Sequence, residues 1–237
     1  MVKTNIEGAV QYIELNNPDK GNCLSPQMIT EIKIAFLEAN KNKAIKNIVL
    51  TGSGKNFCTG ADLNWMYAAK DLSEQENIKD MHQLTDMYKS ILAFQGIIAA
   101  RAQGNVLGGG MGLVTACDVV VADKESKFSL PEKNWGLIPG IITPLLNRKI
   151  GTQAFNDLAE SSRVISANEA LNIGLIDGIS SSDEEANELV YKLAAVAKKP
   201  QTLISDETFS FFTEESAKLR RLPKFIKNIE IFLKNKT

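Results

Sequence analysis

The sequence predicts an α/β fold of repeated ββα units with a helical C-terminal region. Strand-like and helix-like segments alternate along most of the 237 residues, and a strand–helix–strand order favours parallel pairing. Two of the strand-like segments run directly into glycine-containing loops that lead into helices. The segment 201–237 has helical propensity and no strand pattern. We therefore expect a core over residues 1–200 and a helical segment over residues 201–237.

The overall composition limits the kinds of partner. The chain is 44% hydrophobic and 23% charged, which is ordinary for a globular protein. Its net charge of -1 and isoelectric point near 6.0 give no basic footprint for nucleic acid or for an anionic membrane surface. No apolar run approaches the roughly 18 residues of a membrane span, and the first residues show no signal-peptide pattern. We expect a cytoplasmic protein that binds neither nucleic acid nor membrane.

Cysteine and histidine usage argues against a metal or redox centre. Cys23, Cys58 and Cys117 are odd in number and lack metal-ligand spacing, which fits a reducing compartment. The single histidine, His82, lies within an apolar-periodic helix pattern, and we interpret it as a helix-face residue. No metal site is expected.

The first strand–helix–strand unit is predicted near the N-terminus. Residues 9–15 have strand composition and are followed by the turn residues Asn16-Asn17-Pro18-Asp19. Ser25-Pro26 predicts an N-cap followed by proline in the first helical turn, and the helix is expected to reach about Asn40. A buried strand over residues 47–51 completes the unit.

Capping patterns predict the starts of three further helices. Ser73 with Glu76, and Ser166 with Glu169, have the spacing in which each side chain bonds the backbone of the other residue. Ser182 or Asp183 is expected to start a helix that reaches Lys199 and is stopped by Pro200. The remaining predictions are strands over residues 96–102, 119–122 and 127–130, a loop over residues 131–140, and a helix that opens at Thr143-Pro144.

The stretch over residues 103–118 is the strongest candidate for chemistry. It places Gly108, Gly109 and Gly110, then Gly112, between a strand and the start of a helix. Glycines let a ligand approach the backbone, and the first N–H groups of a helix are free to donate to an anion. The alternative is a tight turn that binds nothing. The spacing fits neither a dinucleotide fingerprint nor a P-loop.

Three segments in order resemble the signatures of the crotonase (enoyl-CoA hydratase/isomerase) superfamily. They are F-C-T-G-A-D-L-N-W-M over residues 57–66, the glycine stretch over residues 104–118, and F-S-L-P-E-K-N-W-G-L-I-P-G over residues 128–140. The likeness extends over about residues 8–200. It implies a spiral of ββα units and assembly into a homotrimer, or a dimer of trimers, through the C-terminal helices.

Within the superfamily, the sequence motifs of this chain are similar to those of two groups of enzymes. The A-D-L-N-W-M and G-G-G-M-G-L-V-T-A-C-D segments resemble methylglutaconyl-CoA hydratases, and A-D-K-E-S-K-F-S-L-P-E resembles dehydratases of polyketide β-branching. The resemblance implies an enoyl-CoA hydratase or dehydratase that acts on a 3-methylglutaconyl or 3-hydroxyacyl thioester. The alternatives are a dehydratase of carrier-protein-bound hydroxymethylglutaryl groups, a 3,2-enoyl-CoA isomerase, and a catalytically silent acyl-CoA-binding protein.

The resemblance also implies a set of site residues. The N–H groups of Ala61 and Gly109 would hold the thioester oxygen as it gains charge, and Glu132 would move the proton. Without the resemblance, Glu132 would be read as a surface glutamate. Substrate contacts are implied for Asn22, Cys23, Leu24, Gly60, Asp62, Leu63, Gly108, Gly112, Trp135 and Gly140. The CoA adenine and pantetheine are expected along residues 22–24 and 55–62, and Lys20 is a candidate for phosphate contact. Coenzyme A enters as part of the substrate, and no other cofactor is implied.

At residue 112 the chain departs from the pattern it resembles. The best-known hydratases have a second glutamate where this sequence has Gly112, so that two carboxylates hold one water. We expect Gly112→Glu to raise the hydration of crotonyl-CoA, unless the space is already filled by substrate or by Met111 or Trp135.

The C-terminal segment is rich in apolar residues, which predicts a partner surface. These residues are Phe209, Phe211, Phe212, Phe225, Ile229 and Phe232.

Overall fold

The computed structural model describes residues 1–199 and 204–234. The helix stop predicted at Pro200, and the boundary predicted between the core and the C-terminal segment, lie outside these residues. Within them, strands and helices alternate as predicted, and the helices of the C-terminal segment follow the last strand.

In the part of the chain that the structure describes, nine strands form two sheets. The strands are β1 (Val2–Glu7), β2 (Val10–Leu15), β3 (Asn47–Gly52), β4 (Ile97–Ala102), β5 (Asn105–Leu107), β6 (Val119–Asp123), β7 (Lys127–Ser129), β8 (Ile165–Ser166) and β9 (Gly178–Ser180). The larger sheet has the order β1-β2-β3-β4-β6-β9, and all its pairs are parallel except β1 with β2. The smaller sheet has the order β5-β7-β8.

The helices of the described residues lie between and after these strands. They are α1 (Pro26–Lys41), α2 (Leu63–Ala68), α3 (Glu74–Leu92), α4 (Gly109–Thr115), α5 (Glu132–Trp135), α6 (Thr143–Ser161), α7 (Ala167–Asn172), α8 (Asp183–Ala194), α9 (Asp206–Leu219) and α10 (Pro223–Lys234). None of them is long and apolar enough to cross a membrane.

The predicted helix starts are confirmed by their capping hydrogen bonds. The Met28 N–H donates to the Ser25 side chain at the start of α1. Both capping boxes are formed, by Ser73 with Glu76 at α3 and by the corresponding pair at α7. Ser182 is the N-cap of α8.

Some elements differ from the prediction, and the short strands β5, β8 and β9 were not predicted. Strand β1 was not predicted, because five of its six residues are exposed and it therefore shows no apolar alternation. Helix α8 ends at Ala194 and does not reach Lys199, whose ammonium group forms an ion pair with the buried Asp118 at 2.9 Å. The segment predicted as a loop over residues 131–140 contains the short helix α5.

The C-terminal helices belong to the same hydrophobic core as the sheet. Helix α9 packs against α3, and Phe209, Phe225 and Ile229 are fully buried in the main core cluster. These three side chains are therefore used within the chain and cannot form a partner surface. Phe211 remains exposed on α9. The homotrimer therefore stays a prediction of the resemblance.

Candidate active site

Two loops meet at the carboxyl ends of neighbouring parallel strands. One loop follows β3 and reaches Ala61, and the other follows β4 and reaches Gly109 through β5. Because β3 and β4 are parallel, both loops leave the same edge of the sheet. An isolated bridge between Cys58 and Val106 joins the two loops, and a second bridge joins Leu24 to Ala61.

The two loops place the N–H groups of Ala61 and Gly109 side by side. A Cβ atom added to Gly109 would lie only 3.8 Å from the Ala61 nitrogen, and one added to Gly60 would lie 3.6 Å from the Gly109 nitrogen. Neither N–H donates to an acceptor within the described parts of the chain. Two backbone N–H groups without acceptors, arranged in this way, can donate hydrogen bonds to an oxyanion.

Glu132 is the first residue of α5, and its carboxylate lies beside Gly108. A Cβ atom added to Gly108 would lie 2.8 Å from Glu132 Oε1. The other carboxylate oxygen, Oε2, is buried and has no hydrogen-bond partner in the structure. Burial raises the pKa of Glu132 from 4.5 to about 7. A carboxyl group with this pKa can take up and release a proton near neutral pH.

These groups line one apolar cavity of about 110 Å³. Eight of the predicted site residues line it: Gly60, Ala61, Leu63, Gly108, Gly109, Glu132, Trp135 and Gly140. Most of the remaining wall was not predicted, and it comprises Thr59, Met66, Met81, Leu84, Pro131, Leu137, Ile138, Pro139, Ile141, Ile142 and Ser216. Thr59, Met66 and the residues between Pro131 and Pro139 lie within the signature segments, although no role was assigned to them. Met81, Leu84 and Ser216 come from helices α3 and α9, which are distant in sequence, so no local motif could assign them to the site.

Three predicted substrate contacts have structural roles in the fold, and their contact with a substrate stays a prediction. Asn22 is fully buried, and its side chain accepts from the Asn17 N–H and donates to the Ser53 and Asn56 carbonyls, which ties the loops together. Leu24 is fully buried beneath Gly109.

Asp62 is the third of these residues, because its carboxylate accepts the Asn64 N–H at 2.8 Å and caps α2. Cys23 lies outside the cavity and is partly exposed, so a contact with coenzyme A stays a prediction there.

Gly112 is also outside the cavity, and no space exists beside it. A Cβ atom at this position would meet Ile142 Cγ2 at 2.4 Å and the Tyr88 hydroxyl at 2.5 Å. Tyr88 and Ile142 separate Gly112 from the cavity, and its predicted substrate contact stays a prediction. The same two side chains fill the volume that a second carboxylate would need.

Helix α10 covers the short helix that carries Glu132. The Trp135 and Phe232 rings pack edge to face with centroids 5.0 Å apart, and the Asn228 side chain donates to the Asn134 carbonyl at 3.3 Å. On the other side, the Tyr67 hydroxyl donates to the Glu230 carboxylate. The contacts of Trp135 and Asn134 tie α5 to α10, and the contact of Tyr67 ties α10 to α2.

Two backbone N–H groups without acceptors therefore stand beside one buried carboxylate in an apolar cavity. The chain belongs to the enoyl-CoA hydratase/isomerase family, whose sequence model matches residues 5–227. It is an enzyme of that family.

Individual relatives agree in both sequence and fold. The chain is 32% identical over 198 residues to the crotonyl-CoA hydratase of Syntrophomonas wolfei, covering 83% of this chain and 74% of the relative. It is 30% identical over 196 residues to the bacillaene synthase dehydratase PksH of Bacillus subtilis, covering 81% and 72%. The crystal structure of an enoyl-CoA hydratase from Bacillus halodurans superposes with a TM-score of 0.85 at 25% identity, covering 97% and 99% of the two chains.

The position of Gly108 gives a first testable prediction. Its backbone has φ +48°, which other residues rarely adopt, and an added methyl group would push the Glu132 carboxylate aside. We expect Gly108→Ala to lower kcat for an enoyl thioester by about 10²-fold or more, because small displacements of a catalytic group are costly. Gly174→Ala is the matched control, since Gly174 has φ +75° and open space around its Cβ position. Equal losses of kcat in both variants would contradict the account.

Proposed function

We propose that the protein catalyses the reversible hydration of an α,β-unsaturated acyl thioester. The observation that carries the proposal is the unpartnered carboxylate of Glu132 beside the free N–H groups of Ala61 and Gly109. In this proposal the two N–H groups bind the thioester carbonyl oxygen. They stabilise the charge that develops there when the substrate becomes an enolate.

One carboxylate is sufficient for the proton transfers. Glu132 takes a proton from water as the water oxygen bonds to C3 and the double-bond electrons move to the carbonyl oxygen. The enolate then collapses and C2 takes the proton from Glu132. The reverse sequence eliminates water from a 3-hydroxyacyl thioester. The raised pKa of Glu132 suits both directions near neutral pH.

Migration of the double bond is the second candidate function. It needs a single base that removes a proton at one carbon and returns it at another, and no bound water. The filled volume beside Gly112 favours this reaction, because a second carboxylate that could hold water has no place there.

The cavity wall supports an uncharged acyl group. Of the described residues that line it, none is lysine, arginine or histidine. A 3-methylglutaconyl or carrier-bound hydroxymethylglutaryl group carries a distal carboxylate, which is costly to bury without a cationic partner. We therefore propose crotonyl-like thioesters as the preferred substrates. The 3-methylglutaconyl thioester and the carrier-bound hydroxymethylglutaryl thioester are the second choice. A cytoplasmic location stays a prediction.

A panel of four substrates tests the proposal: crotonyl-CoA, 3-methylglutaconyl-CoA, a 3-enoyl-CoA, and a hydroxymethylglutaryl carrier protein. We expect hydration of crotonyl-CoA, detected as loss of the conjugated thioester absorbance, with the highest kcat/KM of the panel. Faster isomerisation of the 3-enoyl-CoA would favour the second candidate. Binding without turnover on all four substrates would overturn the proposed function.

A further inference from the structure

The hydroxyl group of Tyr88 is joined to the glycine run by a hydrogen bond. Tyr88 lies on α3, 21 residues before Gly109, and its O–H donates to the Gly109 carbonyl at 2.8 Å. No other side chain of the described residues hydrogen-bonds to residues 108–110. The Tyr88 side chain is fully buried and does not line the cavity.

The glycine run needs such an anchor. Three successive glycines have few steric limits on their dihedral angles, so their peptide groups are not oriented by sequence alone. The N-cap of α4, Gly108, has no side chain to cap the helix. Its N–H donates to the Ser129 carbonyl at 3.0 Å, and Tyr88 holds the Gly109 carbonyl. The peptide group that carries the Gly109 N–H lies between these two anchored atoms, and its own carbonyl, on Gly108, accepts the Gly112 N–H at 3.2 Å.

Tyr88 remains a donor at all working pH values. Burial, with smaller contributions from Cys58 and Glu132, raises the pKa of the phenol well above its ordinary value. The neutral phenol has one O–H, which is committed to the Gly109 carbonyl. It is therefore not a second acid or base for the reaction, and its influence passes through the backbone.

We propose that Tyr88 is a positioning residue of the active site, which orients the Gly109 N–H toward the oxyanion through its hydrogen bond to the Gly109 carbonyl. The same hydroxyl occupies the volume beside Gly112, so the residue that aligns the donor also excludes a side chain at position 112. The inference rests on the proposed role of the Ala61 and Gly109 N–H groups.

Tyr88→Phe tests the inference, because it keeps the buried ring and removes only the donor. A misaligned oxyanion donor weakens transition-state binding more than ground-state binding, so kcat should fall about 10- to 100-fold. The affinity for butyryl-CoA, a ground-state analogue, should change less than about 2-fold. Acetoacetyl-CoA provides a spectroscopic signature, since its enolate absorbs in the ultraviolet. We expect the pH at which bound acetoacetyl-CoA ionises to rise in the variant.

Tyr191→Phe is the matched control, since Tyr191 is exposed on α8, on the opposite side of the sheet. This variant should leave kcat, the affinity for butyryl-CoA and the ionisation of bound acetoacetyl-CoA unchanged. If Tyr88→Phe does not fold, Gly112→Ala tests the same hydrogen bond, because the added methyl group would displace the Tyr88 hydroxyl from the Gly109 carbonyl. An unchanged enolate titration, or equal losses for butyryl-CoA and the enolate, would overturn the role of Tyr88. If wild-type protein fails to favour the enolate relative to water, the proposed function itself is wrong.

Discussion

Replacing Glu132 with glutamine is expected to lower kcat by about 10²- to 10⁴-fold, the range of general acid–base contributions, with little change in thioester affinity. Glutamine keeps the shape of the side chain and cannot exchange a proton. Because burial raises the pKa of Glu132 to about 7, we also expect kcat/KM of the wild-type protein to rise as pH increases through about 7. Steady-state kinetics between pH 5 and pH 9 measure both effects.

Two matched variants separate Glu132 from other carboxylates. Glu125 is exposed between β6 and β7, so Glu125→Gln should keep wild-type kcat. Asp62 caps α2, and asparagine caps a helix about as well, so Asp62→Asn should keep both the fold and most of kcat. If Glu132→Gln stays active and either of these variants is inactive, the base lies elsewhere.

Glu132→Gln also tests the pKa of Glu132 through the pH dependence of the unfolding free energy. The folded-state pKa of about 7 lies above the unfolded value of 4.5, so the folded protein binds more protons between these pH values. The wild type should lose up to about 3 kcal/mol of unfolding free energy as pH rises through this window. Glu132→Gln should avoid that loss and be the more stable protein at pH 8. Melting temperatures that differ equally at pH 4.5 and pH 8 would contradict the raised pKa.

Introducing glutamate at position 112 is expected to destabilise the fold severely, in contrast to the gain in hydration that sequence reasoning predicts. Even the Cβ atom would overlap Ile142 and Tyr88. Overpacking commonly costs about 1–3 kcal/mol, and an unpaired buried charge adds to it. For a chain of this length each kcal/mol lowers Tm by about 2–4 °C, so we expect a decrease of about 10 °C or loss of soluble protein.

Gly112→Ala distinguishes the contribution of volume from that of charge. It should lower Tm by a smaller amount than glutamate, because it adds only the first overlapping atom. Differential scanning calorimetry of both variants measures the difference. A stable Gly112→Glu protein with faster crotonyl-CoA hydration would show that Tyr88 and Ile142 can withdraw, and would restore the two-carboxylate expectation.

The parts of the site that the sequence predicts are those encoded in contiguous segments. Glycine runs directly after apolar strands mark the two loops, because the requirement for glycine is local, and the resemblance implies Ala61 and Gly109 as the donors within them. Glu132 emerges from the resemblance, since a glutamate in a loop has no periodicity that would distinguish it from a surface residue. Capping residues such as Ser73 predict their helices for the same reason: each cap bonds within three residues.

The parts that it does not predict depend on tertiary packing. Tyr88 occupies an apolar position on a long amphipathic helix, and its sequence context is that of a core residue. Met81 and Ser216 reach the cavity from helices far apart in the chain. The resemblance implies a substrate contact for Asn22, but its side-chain amide forms hydrogen bonds with three backbone atoms that only the folded chain brings together.

Exchange of the Cα protons of butyryl-CoA in D₂O tests the central claim most directly, because it requires an enolate and a base but neither a water addition nor a double bond. Proton NMR should show that the wild-type protein exchanges one of the two protons with solvent, and that Glu132→Gln does not. Exchange by Glu132→Gln at the wild-type rate, or no exchange by a folded wild-type protein that binds butyryl-CoA, would contradict the account of one carboxylate acting beside two backbone donors.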